Sequence, residues 1–130
     1  MNIYQEHIMD HYHNPRNAGT LDDPDIVFSD ENPLCGDTIT INLQHDSKGR
    51  ITAARHFSEG CAISQAAASM LFEELEGKTF KEVLSMEKET ILAEFGTELS
   101  VSRVKCALLA LTALKKALVE HEQERGERYA

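Results

Sequence analysis

Apolar positions along the chain change their period twice. Ile3, His7, Ile8 and His11 recur at helical spacing and predict a first helix over residues 3–12. The "NPRN" at 14–17 ends it, because a residue before proline avoids the helical region. Residues 18–36 are rich in Asp, Pro and Gly and read as loop, with a short strand around Ile26–Phe28. From Asp37 the period becomes two: Ile39, Ile41 and Leu43 share one face, and Thr38, Thr40 and Asn42 the other. The "HDSKGR" stretch supplies a turn, and "ITAARHF" (51–57) returns with Ile51, Ala53 and Phe57 in step, so a hairpin is expected.

Gly60 then breaks the strand, and the residues from Ala62 to Leu75 favour a helix that Gly77 stops. Short helices follow around Thr79–Leu84 and Glu87–Phe95, the second closed by Gly96. In the last helix Val101, Val104, Leu108, Leu111, Leu114 and Leu118 form the apolar stripe. Its polar end, about residues 122–130, reads as a frayed tail. Strands precede helices, which predicts an α+β sandwich rather than alternating βαβ units. A length of 130 residues without repeats or linkers predicts a single domain, 1–130.

The formal charge is −9, from 22 acidic and 13 basic residues. That disfavours nucleic acid, whose phosphates need a basic patch, and permits a partner with a basic face. The sequence has no apolar run long enough for a membrane span and no secretory signal pattern, so a cytoplasmic protein is expected.

Three cysteines in such a chain do not make a disulfide framework. A free cysteine is often a small buried hydrophobe, so three unrelated core thiols are the simplest alternative. Their positions argue against it. Cys35 lies just before a strand, Cys61 at a strand-to-helix junction and Cys106 near a helix start, off the stripe of Val104 and Leu108. A helix N-terminus favours thiolate, the form that binds metal, and Lys105 adds a cation beside Cys106. Convergence of these ends would gather Cys35, Asp37, Cys61 and Cys106, a set suited to Zn²⁺ or to the terminal positions of an iron–sulfur cluster. Spacing alone does not establish it: there is no C-x-x-C pair, and the gaps match no zinc finger.

The stretches "DHYHNPRN" (10–17), "NPLCGD" (32–37), "EGCAISQAAASM" (59–70) and "RVKCALLALTAL" (103–114) resemble, in this order, the iron–sulfur cluster scaffold family of IscU, SufU and NifU N-terminal domains. The resemblance implies an α+β fold with a small three-stranded antiparallel sheet packed against about five helices. It also implies that Cys35, Cys61, Cys106 and Asp37 are the ligand set. Thiolates bind iron strongly and a carboxylate is a harder, weaker partner for a cluster iron, so Asp37 is the ligand expected to keep the site labile.

Departures from the family's branches divide the expectation. The bacterial IscU branch has a histidine where this chain has Lys105, and a Leu-Pro-Pro-Val-Lys segment where this chain has "LSVSR" (99–103), which puts docking of an Hsp70-type chaperone in doubt. The "GCAIS" and "RVKC" stretches look more like SufU, yet the SufU insertion before the third cysteine is missing. The first expectation is a scaffold on which a [2Fe–2S] cluster is built from iron and from sulfur delivered by a cysteine desulfurase, then passed to cluster-accepting apoproteins. The alternative is a zinc-bound, SufU-like sulfurtransferase in which Cys106 accepts persulfide sulfur and Lys105 modulates it. A purely structural zinc protein ranks last, because the expected core is large enough to outlast metal loss.

Elsewhere, His7, Asp10 and His11 have spacing that fits a metal, but the resemblance places them in a structural motif. Solvated or packed roles are expected for His45 and His56, a solvated face for Glu73, Glu74 and Glu76, and an ion pair or a docking role for Arg16.

Overall fold

The computed structural model describes residues 3–33, 36–96 and 99–129, with the side chains of the last helix described as far as Glu124. Helix α1 (Ile3–His13) leads to strands β1 (Ile26–Glu31), β2 (Thr38–His45) and β3 (Ile51–Glu59). Helices α2 (Ala62–Glu73), α3 (Phe80–Leu84), α4 (Lys88–Ala93) and α5 (Val101–Tyr129) follow. The fold is α+β, with five helices against one antiparallel sheet in the order β1-β2-β3. Among the described residues no helix is long and apolar enough to cross a membrane.

Alternation in β2 works as read: Ile39, Ile41 and Leu43 are buried. Register aligns Leu43 with Ile26 on β1 and Ala54 on β3, and Ile41 with Phe28 and His56. This inner face is roofed by two helices, α2 over β3 and α5 over β1 and β2. Helix α1 packs on the far side of α2, and α3 and α4 pack against α5. Buried between so many neighbours, α2 is apolar or small almost all round, with Ala66 to Phe72 an unbroken buried run.

Two phases differ from expectation. In β3 the buried face is Ile51, Ala54 and His56, while Phe57, expected in step with Ile51, is 54% exposed. The pairing slips between Gln44 and His45, so that His45 faces Ile51 while Gln44 faces Ala53. This bulge leaves Thr52 over and switches every later side chain of β3 to the other face.

In α5 the expected stripe is displaced. Val101 is 80% exposed and Val104 and Leu108 are half-buried, whereas Ala107, Ala110, Ala113 and Ala117 are buried beside Leu111, Leu114 and Leu118. Small residues let α5 approach α2 closely, and α2 answers with Ala66, Ala67 and Ala68. The helix continues through the segment expected to fray, to Tyr129. Strand β1 is also longer than the expected Ile26–Phe28, because β2 pairs with it as far as Glu31.

Segment 17–19 covers the open edge of β3: His56 N–H donates to Asn17 O at 2.9 Å and Gly19 N–H to His56 O at 2.8 Å. At the hairpin turn the Asp46 carboxylate accepts the N–H groups of Lys48 and Arg50, each at 2.9 Å. Those two bonds, the Arg50 one foremost, hold its carboxyl below the usual value.

Candidate metal centre

Where β2 begins and β3 ends, the sheet brings residue 37 opposite the start of α2. Asp37 precedes Thr38, and Thr38 pairs with Glu59, so the carboxylate points at the Gly60–Cys61 junction. Its backbone is held from Asn32: Asn32 N–H donates to Asp37 O, and Gly36 N–H to Asn32 O, both at 2.8 Å.

Cys61 caps the N-terminus of α2 in extended conformation, without a side-chain cap hydrogen bond. Its backbone N–H donates to Asp37 Oδ1 at 3.2 Å, and its Sγ lies 3.4 Å from Asp37 Oδ2. Ser64 Oγ stands 3.8 Å from the same sulfur and donates to Cys61 O.

Gly60 makes this approach feasible. A Cβ there would sit 2.3 Å from Asp37 Oδ1, and its φ of 142° is one that L side chains rarely adopt. Read from the sequence as a strand breaker, Gly60 also forms the cradle for the carboxylate.

Cys106 arrives from α5 and completes the cluster. One ligand atom each from Asp37, Cys61 and Cys106 lies within 4.8 Å of the other two. Expected off the core face, Cys106 is in fact buried, 2% exposed, in the second turn of α5. The alanine-rich face of α5, invisible in a stripe of Leu and Val, is the face that carries it. Cys106 is closed to solvent in this arrangement, and of the two described thiols Cys61 is the more exposed.

The donor set fits a metal. Two sulfurs and a carboxylate suit tetrahedral Zn²⁺ or iron, and metal bonds of about 2.0–2.3 Å need donors only slightly closer than these. A carboxylate 4% exposed beside two thiols is costly to keep charged, and a cation among the three offsets that cost.

Cys35 lies outside the described residues. Lys105 is exposed and lines a groove with Asn32, Pro33, Leu108 and Leu109, on the flank of the loop that leads to Asp37.

The motif at the end of α1 does different work. Ser69 Oγ accepts the Arg16 N–H at 2.8 Å and shares a hydrogen bond with His11 Nδ1 at 2.7 Å, while His11 Nε2 lies 3.6 Å from Glu73. Burial pushes His11 below its ordinary pKa, with the Arg16 charge adding to it. Arg16 pairs with Asp10 at 2.6 Å, which takes up the ion-pair expectation, and that bond holds the Asp10 carboxyl below its usual value. His7 lies 3.8 Å from Glu94. His56 is packed, donating from Nε2 to Arg16 O at 2.9 Å with Nδ1 3.1 Å from Ser58 Oγ, and burial lowers its pKa too. Glu76 meets Arg55 at 3.2 Å and is tied rather than merely solvated.

Over residues 3–128 the chain matches the NifU-like N-terminal domain family. It is 36% identical to the zinc-dependent sulfurtransferase SufU of Bacillus subtilis, over 92% of either chain. It is 34% identical to the iron–sulfur cluster assembly scaffold protein IscU 1 of Archaeoglobus fulgidus, over 96% of this chain and 80% of that one. The crystal structure of the N-terminal part of a NifU-like protein from Brucella abortus superposes with a TM-score of 0.77 at 25% identity, covering 93% of this chain and 95% of its own. The family match spans nearly the whole chain and the fold agrees with that of the matched structure: the chain belongs to the NifU-like N-terminal domain family.

Proposed function

We propose that the protein is an iron–sulfur cluster assembly scaffold acting in the cytoplasm. It receives ferrous iron and sulfur from a cysteine desulfurase, builds a [2Fe–2S] cluster on Cys35, Asp37, Cys61 and Cys106, and passes it to cluster-accepting apoproteins. The observation that carries this reading is the convergence of a carboxylate and two thiols from three separate elements within 4.8 Å. The thiols supply affinity for iron. Asp37, harder and backed by Gly60 and the Cys61 N–H, supplies a ligand that lets go. Cys61, the more exposed of the two described thiols, is the side from which cargo enters and leaves.

A second reading has one observation in its favour: SufU of Bacillus subtilis, a relative at 36% identity, is named a zinc-dependent sulfurtransferase. On that reading Zn²⁺, held by the same four residues, acts as a Lewis acid that keeps the thiols ionised. A thiolate then attacks the outer sulfur of the desulfurase persulfide. The S–S bond breaks, the desulfurase leaves as thiolate, and the sulfane sulfur stays on this chain with no net oxidation. Cys106 fills this acceptor role if the exposed first turn of α5 lifts away; Lys105, exposed just before Cys106, then lies beside the incoming partner.

One experiment separates the readings. Metal-stripped protein is mixed anaerobically with ferrous iron, cysteine and a cysteine desulfurase, and iron and sulfide are counted per chain as the visible spectrum develops. A [2Fe–2S] spectrum that Cys35→Ser, Cys61→Ser or Cys106→Ser each abolishes establishes the scaffold. Absence of a cluster, with faster sulfide release by the zinc form, overturns it in favour of sulfur transfer.

A further inference from the structure

At the opposite end of β2 from Asp37 two histidines meet. His45 closes the strand at the bulge, where the register slip aims its ring toward α5. Its backbone N–H donates to Asp25 Oδ2 at 2.9 Å. Its Nδ1 lies 2.8 Å from the Asp46 carbonyl, which only accepts, so Nδ1 carries the hydrogen and Nε2 presents a lone pair. That lone pair faces His121 Nε2, 3.1 Å away on α5. Both rings stand edge-on to Phe80, whose apolar face backs the pair.

We propose that His45 and His121 form a second metal site, taking a borderline divalent ion such as Zn²⁺ or Ni²⁺ with water completing its shell. Three observations carry it. First, two imidazoles on one ion, with metal–nitrogen bonds of about 2.0–2.1 Å, hold their nitrogens about 2.9–3.4 Å apart, and the observed 3.1 Å falls in that window. Second, a backbone carbonyl on Nδ1 is the outer partner that metal-bound histidines use to fix tautomer and orientation. Third, Asp25, Glu120 and Glu124 line the cleft beside His121, so the local field favours a cation. Without metal, His121 Nε2–H donates to His45 Nε2; an entering ion takes the place of that shared hydrogen, and His121 carries its proton on Nδ1. The bound ion ties α5 to the β2–β3 hairpin, at the end of the helix away from Cys106.

The test is a Zn²⁺ titration of the full chain followed through the nitrogen resonances of its histidine rings, in parallel with His121→Gln and His45→Asn. The thiol centre contains no histidine, so the two sites report separately. The expected result is a joint shift of the His45 and His121 Nε2 resonances. In either variant the remaining ring's affinity for zinc drops at least about tenfold, while zinc uptake at the thiols is unchanged. Both variants lie at half-buried positions, and matched melting curves without metal check that they fold. The proposal is overturned if both resonances stay in place through several equivalents of zinc, or if the response of His45 survives His121→Gln.

Discussion

Two polar clusters flank α2 and differ in what their atoms face. Near the C-terminal end of the helix, Asp10, His11, Arg16, Ser69 and Glu73 are joined by hydrogen bonds and ion pairs that lock α1 onto α2. At its N-terminus, Asp37, Cys61 and Cys106 bring a carboxylate and two sulfurs within 4.8 Å of one another. Both clusters sit within motifs by which the chain resembles its family. The difference teaches that polar side chains which tie one helix to another are architecture, whereas two sulfurs and a carboxylate gathered from separate elements are a ligand set.

The sharpest way to break the contrast is Gly60→Ala. A methyl group 2.3 Å from Asp37 Oδ1, on a backbone that costs about 1–3 kcal/mol in strain, displaces both the carboxylate and Cys61, the next residue, so that two ligands are lost rather than one. Bound iron or zinc per chain should collapse while circular dichroism still reports a folded protein. Retention of full metal would remove Gly60 from the site.

Ser69→Ala attacks the other cluster. Ser69 is fully buried and serves both Arg16 N–H and His11, so its loss should cost about 2–3 kcal/mol in urea unfolding and leave metal per folded chain unchanged. A metal deficit in this variant would mean that the clusters are coupled.

Asp37→Ala bears on lability alone. The variant should hold its assembled cluster severalfold longer and pass it to an acceptor apoprotein correspondingly more slowly, read by the decay of cluster absorbance. Unchanged transfer would count against the carboxylate as the releasing ligand.

Acidification of the metal-free protein has a smaller effect, through two buried histidines. Burial lowers the pKa of His11 and His56 in the folded state from 6.5, so below that value the unfolded chain binds more protons than the native one. Stability should therefore fall as pH drops from about 6.5 toward the lower native values, and be flat above. A urea midpoint followed across that range checks the sign, and His56→Gln should flatten the slope.

Least of all should follow from Phe57→Thr. At 54% exposure on the outer face the change should stay within about 0.5 kcal/mol. A loss of about 3–5 kcal/mol would mean that Phe57 belongs to the core after all.

That last case marks where reading the chain alone falters. Period two in Ile39, Ile41 and Leu43 led directly to β2, but carrying the same period through the hairpin put Phe57 inside. The bulge that reverses the phase belongs to the pairing of two strands, and neither strand shows it alone. Helix α5 was legible as a helix, yet its buried face runs through alanines, which weigh little in a stripe read from Leu and Val. The argument that drew Cys106 toward Asp37 and Cys61 put it on the exposed face of α5, whereas it is buried. The pairing of His45 with His121 links residues far apart in the chain and left no local trace.

The sequence by itself determined the kind and order of the elements, because helical and strand periods, prolines and glycines act over a few neighbouring residues. It also determined the donor chemistry, since thiol and carboxylate are properties of side chains. Only the tertiary structure decided which face each element buries and which donors meet. Sheet register and close helix packing are set by partners distant in sequence, and the 4.8 Å meeting of Asp37, Cys61 and Cys106 exists only once β2, α2 and α5 are in place.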